Sequence, residues 1–178
     1  TILLPETPFS QRANSKVREL EIQKFWNDTN LYQKLSDSAK DAGADRFVLH
    51  DGPPYANGDL HIGHAMNKLL KDFINRKQVL NGKQVHFVPG WDCHGLPVEY
   101  EIDQKLNITH RDQVFEMGID KYNATCRGIV TRYTKEWEST ITRLGRWIDF
   151  ENDYKTLDPS FMESVWWVFS QLFEKGLV

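Results

Sequence analysis

Cysteine is scarce in this chain of 178 residues: there are two, Cys93 and Cys126, and their spacing matches no pairing motif. A disulfide framework is therefore excluded, and the usage fits a reducing interior compartment. No apolar run approaches the 18 residues that a membrane-spanning helix needs, so no membrane contact is expected. Neither sign of charge dominates, with Lys+Arg 22 against Asp+Glu 25 and a net charge of −3. That balance does not advertise nucleic acid or an anionic membrane, although a local basic patch can sit inside it. Internal repeats and low-complexity tracts are absent. The start, Thr1-Ile-Leu-Leu-Pro5, has neither an initiator Met nor a signal-peptide pattern, so any targeting segment is expected to have been removed or never included. What is present is a composition 40% hydrophobic and 26% charged, enough for a packed core in one domain of ordinary size.

Special residues crowd into one window. Between His50 and Gly95 lie five of the six histidines and six of the eleven glycines, so chemistry is sought there. Upstream, residues 1–14 read as extended, and Ser15 is placed to cap a helix running to about Leu35, followed by a polar loop from Ser36 to Asp45. Arg46-Phe-Val-Leu-His50 reads as a strand buried on both faces and ended by Asp51-Gly-Pro-Pro54. Asn57-Gly58 marks a turn. Ile62, Met66, Leu69, Leu70, Phe73, Ile74 and Leu80 keep helical spacing and predict a core-facing helix closed by Asn81-Gly82. Gln84-Val-His-Phe-Val88 is a second strand. Strand, glycine turn, helix and strand make a βαβ unit, hence a parallel sheet with a right-handed crossover. Downstream, a helical stripe from Ile119 to Leu144 ends at Gly145. Asp158-Pro159 then starts a last helix, closed at Gly176, in which Trp166-Trp167 reads as core. Leu177-Val178 is placed to begin another strand.

A strand running into a glycine turn and a helix brings backbone N–H groups and the positive end of the helix dipole to one place, which favours phosphate. Pro54-Tyr-Ala-Asn-Gly-Asp-Leu-His-Ile-Gly-His64 fills that position. Gly63 lets a ligand approach the backbone, and His61 and His64, three apart, sit together at the helix start. Imidazole N–H groups there can stabilise charge on phosphate oxygens. As a bare His-x-x-His the pair is equally consistent with capping or core histidines. A metal site made of His61, His64, Cys93 and His94 is a further alternative, since zinc takes such ligands. Against it, Cys93 and His94 adjoin on the chain and no Cys-x-x-Cys supports them. The second strand ends in Pro89-Gly-Trp-Asp-Cys-His-Gly-Leu-Pro97. Ligands collect beyond the carboxyl ends of parallel strands, so the Asp51 segment and Asp92 face one crevice. There Asp92 either binds an ammonium group or caps its own turn. Trp91 reads as packing.

The His-Ile-Gly-His of residues 61–64 resembles the signature of the class I aminoacyl-tRNA synthetases. Asp51-Gly-Pro-Pro-Tyr-Ala-Asn-Gly58 with Gly90-Trp-Asp-Cys-His-Gly-Leu-Pro-Val-Glu99 resembles the isoleucine-specific branch of that family. The likeness extends to Leu144-Gly-Arg-Trp-Ile-Asp149 and Phe161-Met-Glu-Ser-Val-Trp-Trp167. Residues up to about Asn81 look like the bacterial or organellar branch, and residues from about Pro97 onward like the eukaryotic cytosolic one. The resemblance implies a Rossmann-like α/β fold of the HIGH-type nucleotidyltransferases, here incomplete. Residues 1–45 would be an N-terminal helical extension. Residues 46–178, with the C-terminal helices, would be the first half of the catalytic domain, ending near the family's editing insertion. It implies activation of L-isoleucine with ATP and Mg²⁺, followed by transfer to tRNA(Ile), in a longer parent. The 178 residues alone would be inactive, because the second ATP signature, Lys-Met-Ser-Lys-Ser, is missing. His61 and His64 would be catalytic. Pro54, Tyr55, Asn57, Gly58 and Gly63 would join them around ATP, while Gly52, Pro53 and Asp92 would hold the amino acid. No metal site is implied in this segment. A cytoplasmic monomer is expected, with a mitochondrial or plastid enzyme as the alternative. A synthetase-like binding module without activity, and a leucine- or valine-specific ligase, are the competing functions.

Overall fold

A computed structural model describes residues 6–8, 12–55 and 58–178. Among these, seven helices and four two-residue strands follow in the order α1 (Ser15–Asp28), α2 (Leu31–Asp41), β1 (Arg46–Phe47), α3 (Ile62–Leu80), β2 (Gln84–Val85), β3 (Gly90–Trp91), α4 (Leu96–Leu106), α5 (Arg111–Met117), α6 (Ile119–Arg143), β4 (Tyr154–Lys155) and α7 (Pro159–Glu174). The single helix expected from Ser15 to Leu35 is divided at Asn30, which adopts a left-handed φ of 49°. Asparagine tolerates that region better than most residues with a Cβ. α2 then takes up most of the stretch expected to loop. Ser15 is the first helical residue and not the cap; Asn14 precedes it, also left-handed and without a side-chain capping bond.

β1, α3 and β2 form the expected parallel unit, with Arg46 opposite Gln84 and Phe47 opposite Val85. Its strands are shorter than the sequence suggests, because backbone pairing is shared between two neighbours. The Gln84 and Asp92 N–H groups donate to Asp45 and Pro54 carbonyls at 3.0 and 2.8 Å. The Phe87, Pro89 and Trp91 carbonyls instead accept from the N–H groups of Asp149, Tyr154 and Thr156 at 2.9, 3.2 and 3.1 Å. Even-numbered residues thus bond one side and odd-numbered residues the other. The segment 84–92 lies between 45–55 and 149–156, and β3 and β4 are parallel. The first strand is not buried on both faces, however: Arg46 is exposed and Val48 is 66% exposed.

The core sits on one side of this central segment. Trp91 and Cys93 pack with Val98 of α4 and with Val130, Trp137 and Ile141 of α6. Ile102, Tyr122 and Ile129 form a second cluster, and Cys126 and Tyr133 touch both. The α6 stripe was legible from its spacing, and Trp91 packs as expected. α3 presents the opposite case. Its buried residues are Lys68, Asp72 and Asn75, while Ile62, Met66, Leu70, Phe73 and Leu80 of the supposed core stripe are exposed. Two of these inward residues, Lys68 and Asp72, have ionic partners, whereas the Asn75 amide has none among the described residues. Asp72 accepts from Arg76 Nε at 2.6 Å and from the Trp147 backbone N–H at 3.1 Å. The Arg76 guanidinium lies 4.9 and 4.0 Å from the rings of Trp26 and Trp147 and donates to the Gly145 carbonyl. This cation–π stack docks α1 on the rest of the chain. Tyr32 of α2 adds a hydroxyl that accepts the Phe87 N–H at 2.8 Å.

Trp166 and Trp167 are not core: they are 68% and 64% exposed on α7, whose apolar side meets little of the described chain. Asp158 precedes Pro159 as expected, but its carboxylate accepts the Lys155 N–H and makes no cap bond to the helix. Leu177 and Val178 pair with no strand. No helix among the described residues is long and apolar enough to cross a membrane.

Candidate active site

The start of α3 is built by its own histidines. His61 is the N-cap, and its Nδ1 accepts the N–H groups of Gly63 and His64 at 3.1 and 3.4 Å. His64 returns the bond, its Nδ1 accepting the His61 N–H at 3.4 Å. The two rings stack with centroids 3.6 Å apart. A nitrogen that accepts cannot carry the proton, so in both neutral rings the proton sits on Nε2. The pair therefore presents two Nε2–H donors, and the capping and anion-binding alternatives prove compatible. Burial holds the His64 pKa below the ordinary imidazole value, and the neighbouring His61 and Lys68 lower it further, which keeps the ring neutral near pH 7. Gly63 also makes room for its own neighbour. A Cβ there would stand 3.0 Å from His61 Cε1, so the close approach it permits is that of the His61 ring.

His61 and His64 line an open cavity of about 380 Å³ with Pro53, Pro54, Tyr55, Gly58, Asp59 and Trp137. Asn57 lies outside the described residues. Asp92 reaches this region through a parallel bridge to Tyr55 and the bond from its N–H to Pro54. Its carboxylate is half-buried and makes no hydrogen bond among the described residues, so it is not a turn cap. Gly52 borders a separate space of about 20 Å³ beneath the loop, shared with Asp51, Lys68 and Arg146. Cys93 and His94 are turned elsewhere. The Cys93 N–H and His94 Nδ1 both meet Thr156 Oγ1, at 2.9 and 3.1 Å, beside a cavity of about 510 Å³ against α7. The four side chains of the metal alternative are thus split between two cavities. The described residues contain no group of three or more His, Cys, Asp or Glu able to hold an ion.

Three residues that the sequence reading passed over complete the site. Asp51 is gripped by two lysines of α3, Lys68 at 2.6 Å and Lys71. Burial alone would raise the Asp51 pKa, but the hydrogen bonds and charges of Lys68 and Lys71 hold it below the carboxylate range. The signal for these lysines was available: His64, Lys68 and Lys71 follow i, i+4, i+7 spacing and share one helix face. Trp137 is the third. Its Nε1 donates to the Gly58 carbonyl at 2.7 Å, and its ring lies 4.9 Å from His64 and 5.7 Å from Trp91.

A parallel α/β layer with a histidine-capped helix at its strand ends defines the class I synthetase type of nucleotide-binding domain. Residues 21–178 match the family described as tRNA synthetases class I (I, L, M and V), and the chain belongs to that family. Its relatives include isoleucine–tRNA ligases. It is 53% identical over 161 residues to the cytoplasmic isoleucine–tRNA ligase of Arabidopsis thaliana, covering 90% of this chain and 13% of that protein. It is 55% identical over 160 residues to the Tetrahymena thermophila enzyme, covering 90% and 15%. With the Treponema denticola enzyme it shares 47% identity over 171 residues, covering 96% and 15%. The chain therefore spans about one seventh of the length of these relatives. The LeuRS of the Agrobacterium radiobacter K84 LeuRS-tRNA-LeuAMS ternary complex has the same fold, with a TM-score of 0.67 at 23% identity over 93% of this chain and 18% of that one.

Proposed function

We propose that this chain supplies the histidine half of the ATP site and part of the amino-acid pocket of an isoleucine–tRNA ligase. The parent activates L-isoleucine to isoleucyl-adenylate and passes it to tRNA(Ile). One observation carries the reading: two Nε2–H donors at the α3 N-terminus line one cavity with Pro53–Tyr55, and Tyr55 bridges to Asp92, whose carboxylate has no hydrogen-bond partner among the described residues. An anionic phosphate fits the first, and the α-ammonium of an amino acid fits the second. The isoleucine carboxylate attacks the α-phosphorus of ATP and pyrophosphate leaves, with the electron pair of the broken bond. His61 and His64 donate hydrogen bonds to phosphate oxygens as charge moves, and Asp92 orients the amino acid. A tRNA ribose hydroxyl then displaces AMP from the acyl carbon. Mg²⁺ would accompany the ATP and supply positive charge to its phosphates. Pro54, Tyr55, Asn57, Gly58 and Gly63 would border the nucleotide with the two histidines. Gly52 and Pro53 would border the amino acid. Residues 1–45 would serve as the N-terminal extension and 46–178 as the first half of the catalytic domain. The "cytoplasmic" in the name of the Arabidopsis relative supports a cytoplasmic parent, and a monomer is the oligomeric state to check by sedimentation.

The test is isoleucine-dependent ATP–pyrophosphate exchange in the full-length parent. Loss of one preorganised donor costs ~10²–10³ in kcat, which is the effect expected for His64→Ala. Asp92→Ala is expected to raise the isoleucine KM most. An unchanged kcat for the first, or an unchanged isoleucine KM for the second, would sink the assignment. The 178 residues alone serve as a control without exchange.

A further inference from the structure

The loop between β1 and α3 is held at two points, Asp51 and Gly58, which flank Gly52–Tyr55 in sequence. At its first residue Asp51 is clamped by Lys68 and Lys71, two and three turns into the same helix that begins with His61. Asp51 and Lys68 side chains are each 11% exposed, so this pair, like Asp72–Arg76, is shielded from solvent. Gly52, Pro53 and Pro54 follow directly. At Gly58 the carbonyl accepts from Trp137 Nε1, and the same indole packs against His64 and Trp91. Its ring is tilted by 51° against His64 on the proposed nucleotide side, while the clamp holds the residue before Gly52-Pro53. Trp137 packs in the core with Trp91 and Ile141 while one edge lines the His61–His64 cavity, and Lys68 lies on the inward polar face of α3, so each holds the loop from the protein side.

We infer that Lys68 and Trp137 are positioning residues that act separately on the two substrates: the Asp51–Lys68–Lys71 clamp sets the amino-acid wall at Gly52-Pro53, and the Trp137–Gly58 bond sets the ATP side beside His64. The inference rests on the proposed function. It has consequences that a merely structural role lacks. Displacing a positioning element by about an ångström costs up to ~10²-fold, and here the loss divides by substrate. Lys68→Met in the full-length parent raises the isoleucine KM about tenfold and leaves the ATP KM within about twofold, and Lys68→Arg restores it. Trp137→Phe keeps an aromatic ring of smaller size and removes the indole N–H; it raises the ATP KM or lowers kcat while the isoleucine KM holds.

The experiment is pyrophosphate exchange with each substrate varied in turn, paired with amide hydrogen exchange in peptides covering residues 50–60. Divided kinetics with faster amide exchange at the matching end support the inference. Wild-type kinetics with wild-type amide exchange in both variants overturn it. So does an equal fall in every parameter together with a lower Tm, because that marks general destabilisation. If the parent itself shows no isoleucine-dependent exchange, the functional reading fails, and the amide-exchange arm still decides whether the two anchors hold the loop.

Discussion

At the scale of single residues, Gly90 carries the tightest constraint. A Cβ at this position would lie 2.0–2.3 Å from the ring atoms of Tyr154, inside any tolerable contact. The ring stands there because β4 runs parallel to β3 with Gly90 opposite Tyr154, and Phe161 stacks on its far side with centroids 5.9 Å apart. The ring therefore cannot retreat cheaply. Gly90→Ala is expected to cost at least the ~1–3 kcal/mol typical of overpacking, read as a lower midpoint in denaturant. A Tyr154→Ala change made alongside it removes the obstacle, so the double variant should lose less than the two single changes summed. Strict additivity would show that the ring and Gly90 do not meet. The histidines, too, are decided by atoms and not by residue type. Their identity and spacing were legible in the sequence, whereas the reciprocal cap that puts both protons on Nε2 needed coordinates.

At the scale of elements, periodicity served well for α6 and misled for α3. In α6 the stripe Ile129, Val130, Trp137 and Ile141 is buried as its spacing predicts. In α3 the apolar stripe is equally regular, yet Lys68, Asp72 and Asn75 face inward. Periodicity reports that a helix has two faces; it does not say which one turns to which neighbour. Buried charges are tolerated when they are paired, and the pairing of Lys68 and Asp72 depends on Asp51, Arg76 and Trp147, which are remote in sequence or on other turns. The two strands were found at their right places but too long, because alternation of pairing partners leaves no mark on hydropathy. α1 and α2 show the same limit at Asn30. Its left-handed φ is intrinsic to one residue, and nothing in the surrounding composition requires the break. Asn30→Gly should keep stability within a few tenths of a kcal/mol, while Asn30→Val forces a β-branched residue into the left-handed region at roughly 1–2 kcal/mol. Thermal unfolding of the two variants checks this. If valine is tolerated as well as glycine, the break between the helices is set by packing and not by Asn30.

At the scale of the whole molecule, the two exposed apolar faces have one consequence. α3 presents Ile62, Met66, Leu70 and Phe73 to solvent, and α7 presents Val165, Trp166, Trp167, Phe169 and Phe173. Contiguous apolar surface beyond roughly 300–600 Å² is unusual on a soluble monomer and drives association. The net charge of −3 offers little repulsion to oppose it. The 178-residue chain by itself is therefore expected to self-associate in a concentration-dependent way and to bind a hydrophobic dye. Phe73→Gln and Trp166→Gln reduce apolar area on each face while leaving the Trp91–Trp137 core untouched. Because these side chains are 61% and 68% exposed, each change should shift stability by no more than ~0.5 kcal/mol. Sedimentation velocity on the double variant should then show a shift toward the monomer at an unchanged unfolding midpoint. A marked fall in that midpoint would mean that the two faces are packed within this chain, and unchanged association would mean that some other surface joins the copies.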